Sequence, residues 1–206
     1  MAGQGPTPAE RFINGILPEN PIYRSLLGLC PVLAVTSGMK PAMTMAGAVL
    51  FVLFCANVMI SLIRPLLKPH LRILVFTLTI ATFVTVADRL IAAFLFDMSQ
   101  ELGPYIPLII VNCIIISRCE ICASKQSVGT AMADAVGVSI GNLLALASIA
   151  SVREILGNGT WFGIDVLQRF MWPEWVVMVL PPGAFLTLGV LMALVNHMTR
   201  RKAKTA

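Results

Sequence analysis

Charge is scarce in this sequence. Only 12% of its 206 residues are Asp, Glu, Lys or Arg, roughly half the share of an ordinary soluble domain. With 57% hydrophobic residues and a mean hydropathy of +0.85, that shortage excludes a soluble globular chain and indicates an integral membrane protein. Histidine is nearly absent: His70 and His197 both lie near the ends of apolar runs, so imidazole-based catalysis has little to draw on. No glycine-rich phosphate loop is present, which removes nucleotide chemistry of that kind. The first 20 residues contain no basic segment followed by an apolar core and a small-residue cleavage site, so no signal peptide is expected. Residues 1–20 read instead as a cytoplasmic segment, in which Ala9 to Leu17, with Phe12, Ile13, Ile16 and Leu17 at helical spacing, is either a membrane-surface helix or a disordered lead-in.

What is present in quantity is long apolar sequence. Pro41 to Ile63 is an uncharged run of 23 residues and Trp175 to Thr199 one of 25, each enough for a helical span. Ile73 to Phe96, interrupted by Asp88 and Arg89, and Val128 to Val152, containing Asp134, add two more. Two stretches of 11 residues, Leu26 to Thr36 and Ile106 to Ile116, carry Cys30 and Cys113 near their centres. As helices they would rise about 17 Å, around half of a hydrocarbon core. Counting both predicts six transmembrane segments.

Their order is the same in each half: a short cysteine-bearing stretch, then two long spans. The halves cover about residues 21–100 and 101–199, ahead of a basic tail at 200–206. Three crossings per half insert the second half upside down relative to the first, which is the pattern of an inverted-topology repeat. The predicted fold is therefore an all-α integral membrane domain over 21–206, built as two inverted three-helix repeats that each open on a half-helix. Cys30 and Cys113 are expected to face each other near the midplane. Pro31 and Pro107 are expected to break the short segments, and Pro181-Pro182-Gly183 to kink the last span. The outer loop Gly157 to Trp175, with Trp161, Phe162, Phe170, Trp172 and Trp175, reads as an interfacial aromatic belt, and Asn158-Gly159-Thr160 as a turn.

The net charge of +5 has a membrane explanation. With six crossings, Arg11, Arg24, Arg64, Lys68, Arg72, Arg118, Lys125 and the basic tail share one side, against Lys40, Arg89, Arg153 and Arg169 on the other. By the positive-inside rule both termini face the cytoplasm. Nothing in the pattern points to nucleic acid.

No catalytic constellation is visible, so the chemical candidates are the cysteines and the intramembrane acids. A cysteine in a helical bundle is commonly a small apolar filler. For Cys30 and Cys113, the matched positions favour metal ligation equally. Two thiolates are too few for a four-cysteine iron–sulfur cluster, so a cluster would draw two more ligands from another chain. Cys119 and Cys122 form a Cys-x-x-Cys without the second pair that a zinc site needs; packing is expected of them and of Cys55. Asn57 is placed to hydrogen-bond between helices. Asp88 and Asp134 are costly in a membrane and are candidate stations of an ion path. Their alternatives are pairing of Asp88 with Arg89 or a neighbouring helix, and a hydrogen-bonded packing role for Asp134.

Several of these stretches resemble a known family. Asn20-Pro21, Leu26 to Thr36 (Leu-Leu-Gly-Leu-Cys-Pro-Val-Leu-Ala-Val-Thr) and Asn112 to Arg118 (Asn-Cys-Ile-Ile-Ile-Ser-Arg) resemble the paired membrane subunits shared by the Rnf electron-transport complex and the sodium-translocating NADH:quinone reductase. Arg153 to Thr160 and Leu180 to Phe185 are similar to the E subunits of Rnf rather than the D subunits of the reductase. The resemblance runs over nearly the whole chain from Asn20. It implies a translocase subunit of the bacterial inner membrane that carries electrons through a [2Fe–2S] cluster in mid-membrane. Two cysteine ligands would come from this subunit, at Cys30 and Cys113, and two from the paralogous A subunit. It also implies B, C, D and G subunits as partners, with coupling to Na+ or H+ movement. The family motif Gly-Arg-Ala-Glu-Ala stands here as Ser117-Arg118-Cys119-Glu120-Ile121, so Cys119 is a departure from it. Apart from the resemblance, an inverted-repeat secondary transporter and a structural membrane anchor are the rival readings.

Overall fold

The computed structural model describes residues 12, 21–66, 69–157, 159–161, 164–165 and 176–205. Among these the chain is almost wholly helical. The exceptions are connecting turns and a two-residue antiparallel ladder, β1 (Thr160–Trp161) against β2 (Ile164–Asp165). The helices are α1 (Leu29–Val35), α2 (Met39–Ile63), α3 (Arg72–Phe94), α4 (Phe96–Leu102), α5 (Cys113–Arg118), α6 (Val128–Gly157), α7 (Val176–Val179) and α8 (Pro181–Thr205). Four segments are long and apolar enough to cross a membrane: α2, α3, the composite helix Ile106–Ala123 and α6. A shorter apolar helix covers Pro181–His197.

α2 and α6 form the centre. They make the most extensive contact of any two described helices, and both bury several small side chains, including Ala42, Ala46 and Ala56 on α2 and Ala131, Ala135 and Ala145 on α6. Small residues let two backbones approach closely where no hydrophobic effect drives helices together in lipid. α3 lies outside this pair. It turns Phe76, Ile80, Val84 and Ala87 inward and leaves Ile73, Leu78, Val86 and Phe94 exposed. Thr77, Thr79, Thr82 and Thr85 each donate to the carbonyl four residues back, which satisfies hydroxyls that lipid could not.

Polar ties gather the helix ends into two groups. At one end the Arg64 guanidinium donates to the Gln126 carbonyl at 2.8 Å and Arg72 pairs with Glu120 at 3.6 Å. These join the end of α2, the start of α3, the end of the Ile106–Ala123 segment and the approach to α6. At the other end Glu154 accepts from the Met39 backbone N–H at 2.8 Å, which caps the start of α2 from the end of α6. Lys40 and Thr44 share a surface cleft there with Phe94 and Leu95.

The two short segments differ from their predicted form. In the first, helix begins only at Leu29, and Pro31 sits in the first turn, where its missing N–H would have no partner anyway. Pro31 therefore helps to start the helix instead of breaking it. In the second, the chain is a 3-10 turn at Ile106–Ile109, breaks at residues 110–112, then runs as α5 into a π-helical turn at Cys119–Ala123. The expected half-helix with Cys113 at its middle is thus corrected: Cys113 is the first residue of a helix. Asn112 makes the break, its side chain accepting from the Ile114 N–H at 3.0 Å as an N-cap. The expected kink in the last span is a break at Leu180 between α7 and α8. Gly183 is needed there, since a Cβ would lie 2.5 Å from Met178 Cα. The N-terminal surface helix and most of the aromatic belt fall outside the described residues. Of the former, Phe12 is described, and its backbone packs so closely on Gly137 of α6 that a Cβ there would meet Phe12 O at 2.6 Å.

Candidate functional site

α1 and α5 begin beside one another. Gly28, the N-cap of α1, has φ 77°, and a Cβ there would overlap Ile114 Cδ1 and lie 3.5 Å from Asn112 Oδ1. Glycine is required twice over, for the left-handed backbone and for the close approach. From this meeting point α1 leads to Thr36 and the Met39 end of the molecule, while α5 leads to Glu120 and the Arg72 end. Cys30 is the second residue of α1 and Cys113 the first of α5.

Both thiols are exposed, whereas Cys119 and Cys122 are fully buried. Leu26 and Val111, on the approaches to the two helices, are exposed as well, at 49% and 62%. The cysteine pair therefore sits on an outward apolar face and not in the core. Among the described residues no three His, Cys, Asp or Glu side chains gather closely enough to hold a metal. Two outward thiols at the closely packed starts of two helices suit half of a four-thiolate site, with the other half supplied from outside this chain.

The Cys-x-x-Cys is a packing feature, as expected of it. Cys119 donates to Asn57 Oδ1 across to α2 at 3.5 Å, so Asn57 makes the interhelical hydrogen bond anticipated for it. Asp134 lies 1% exposed on α6 and pairs with Arg118 Nη1 at 3.4 Å, while its Oδ2 has no partner among the described residues. Sequence reasoning groups Arg118 with the basic surface residues and misses this pair. A carboxylate and a guanidinium 16 positions apart leave no local signal. Asp88 is half-exposed on α3 and makes no ion pair or hydrogen bond with its side chain among the described residues, so pairing with Arg89 is absent.

Arg153 is the largest fully buried side chain among the described residues, and it too passes for a surface charge in the sequence. Its guanidinium donates to Thr36 Oγ1 at 2.6 Å and to the carbonyls of Met178, Val179 and Leu180 at 3.0, 2.8 and 3.3 Å. It thereby satisfies acceptors left open where α7 breaks into α8 and ties them to the end of α1. Together Arg153 and Glu154 fasten the last turns of α6 to three other helix ends.

A family model described as "Rnf-Nqr subunit, membrane protein" matches residues 9–192. The chain belongs to the Rnf-Nqr family. It is 43% identical over 192 residues to the E subunit of the Na(+)-translocating ferredoxin:NAD(+) oxidoreductase complex of Acetobacterium woodii, covering 93% of this chain and 97% of that one. It is 43% identical over 200 residues to the E subunit of the ion-translocating oxidoreductase complex of Methanosarcina acetivorans, covering 95% and 93%. A third relative, the E subunit of the proton-translocating ferredoxin:NAD(+) oxidoreductase complex of Clostridium ljungdahlii, is 38% identical over 195 residues, covering 93% and 91%. As an Rnf-Nqr member with several long apolar helices, the chain is a multi-pass membrane protein. Its relatives are subunits of ion-translocating oxidoreductase complexes, and their names attach sodium to one and protons to another.

Proposed function

We propose that this chain is the E-type membrane subunit of a ferredoxin:NAD+ oxidoreductase complex. In this reading it carries electrons across the membrane through a [2Fe–2S] cluster held by Cys30, Cys113 and two cysteines of a paralogous A subunit. The observation that carries the reading is the pair of exposed cysteines at adjoining helix starts, on an apolar face that lacks a full ligand set. Such a cluster supplies one-electron transfer, and one near the midplane would halve the distance across a core of about 30 Å. The chain's own part is positional. Gly28 lets α1 and α5 start close together, and the Asn112 cap fixes where α5 begins. The same reading includes six crossings in two inverted repeats over about 21–100 and 101–199, both termini on the cytoplasmic side, and residence in the inner membrane. Cytoplasmic subunits that handle NADH and ferredoxin and a flavin subunit on the outer face would complete the path.

The coupling ion, Na+ or H+, would meet Asp88 and Asp134 on its way. Full ion pumping by Asp88→Asn and Asp134→Asn in the reconstituted complex would remove them from the path. The cluster is tested by iron and acid-labile sulfide assays and low-temperature EPR on the chain co-purified with its partner, for wild type and Cys113→Ser. A two-iron signal lost in the variant is expected. An intact wild-type pair without iron would overturn the reading.

A further inference from the structure

We infer that the Asn112 carboxamide donates a hydrogen bond to a cysteine sulfur of the cluster and so sets its potential. This inference rests on the cluster reading above and adds a residue to it. Asn112 is 2% exposed, and its Oδ1 accepts from the Ile114 N–H at 3.0 Å. Only an oxygen can accept from a backbone N–H, so that bond fixes which way round the amide lies. The Nδ2 group is left with two donors, buried, and without a partner among the described residues.

A buried amide donor without an acceptor costs about 1–3 kcal/mol, so its place needs a reason. Five other buried side-chain atoms lack partners among the described residues: Asn57 Nδ2, Arg72 Nε, Asp134 Oδ2, Ser139 Oγ and Asn142 Oδ1. None belongs to a residue next to Cys30 or Cys113. Asn112 precedes Cys113 directly, and its Oδ1 approaches the position of Gly28, two residues before Cys30. Its amide group is therefore wedged between the starts of the two cysteine-bearing helices. Thiolate sulfur is an acceptor; neither Cys30 nor Cys113 accepts from this donor in the structure, and turning of a thiol toward the helix starts as it ligates iron would supply the missing acceptor. A hydrogen bond to a cluster sulfur stabilises the more negative, reduced state and raises the reduction potential. The capping oxygen and the free donor belong to one rigid amide, so the group that starts α5 also tunes the site that α5 presents.

The test uses the chain co-purified with its partner subunit, as wild type, Asn112→Ser and Asn112→Asp. Serine and aspartate both keep a capping oxygen and both remove the amide donor. Serine still offers a shorter hydroxyl donor and aspartate adds a charge that lowers the potential by itself, so loss of the nitrogen coupling is the deciding readout. The readouts are the midpoint potential from an EPR-monitored redox titration, and pulsed EPR on protein grown with nitrogen-isotope-labelled asparagine. In both variants the cluster is expected to assemble with a more negative potential, and a side-chain nitrogen coupling seen in wild type is expected to vanish. Aspartate covers the case in which the serine variant fails to assemble. A loaded Asn112→Asp cluster at the wild-type potential, or the absence of any side-chain nitrogen coupling in wild type, would overturn the role of Asn112 and leave the cluster reading standing. A wild-type pair without iron would overturn the cluster reading itself.

Discussion

A methyl group at position 28 has nowhere to go: it would overlap Ile114 Cδ1, on a backbone whose φ of 77° already disfavours any side chain. Gly28→Ala should therefore lower stability by about 1–3 kcal/mol, from strain and overpacking together. Adding Ile114→Val, which removes the Cδ1 atom but keeps a Cγ atom 2.8 Å from that methyl, should recover part of the overpacking share. Thermal unfolding in detergent for the two single variants and the double variant measures this, and no recovery would clear Cδ1 of any share in the cost. Cys119 offers a contrast. It is buried and hydrogen-bonded to Asn57, so Cys119→Ala should leave iron content and the EPR signal intact while slightly lowering thermal stability. Loss of iron in that variant would make the Cys-x-x-Cys a candidate ligand pair again.

The Arg118–Asp134 pair ties α5 to α6, with side-chain exposures of 10% and 1%. Removing the guanidinium strands the Asp134 carboxylate away from water, so Arg118→Met should cost about 3–5 kcal/mol and Asp134→Leu less. The double variant should regain most of that loss, because both desolvation costs vanish together. A double variant no better than either single one would show that the pair does not act as a unit. Arg153 ties together more elements, since its guanidinium reaches Thr36 and three carbonyls at once. Arg153→Lys keeps the charge but offers one compact donor group for a spread of acceptors, so it should unfold at a distinctly lower temperature than wild type. The elements themselves are largely legible in sequence, because uniform apolar runs announce α2, α3 and α6 to within a few residues. The breaks are less so. Pro31 and Pro107 draw attention as helix breakers, yet the second segment breaks at Asn112, where a side-chain oxygen competes for a backbone N–H.

For the molecule as a whole, the end that gathers Arg64, Arg72 and Glu120 should lie on the same membrane face as the basic tail, and α4 on the opposite face. A fluorescent-protein fusion after Thr205 should fluoresce, and a phosphatase fused after Leu102 should be active; the reverse pattern would invert the orientation. Matching short cysteine segments make the pair Cys30 and Cys113 legible from the sequence alone. What sequence does not disclose is long-range company: Arg118 with Asp134, Arg153 with the α7–α8 break, and the orphaned donor of Asn112. Each depends on which helices become neighbours, and a hydropathy pattern does not encode that. The meeting of Gly28 with Asn112 also has a bearing on biogenesis. The two cysteines are brought to one place only after the entire first half has been threaded into the bilayer and the second half has begun to follow. A ribosome-bound chain that has not reached residue 113 carries only one of the two proposed ligand thiols, Cys30. If the proposed cluster is held there, its loading would follow insertion, and a stalled or truncated chain would stay empty.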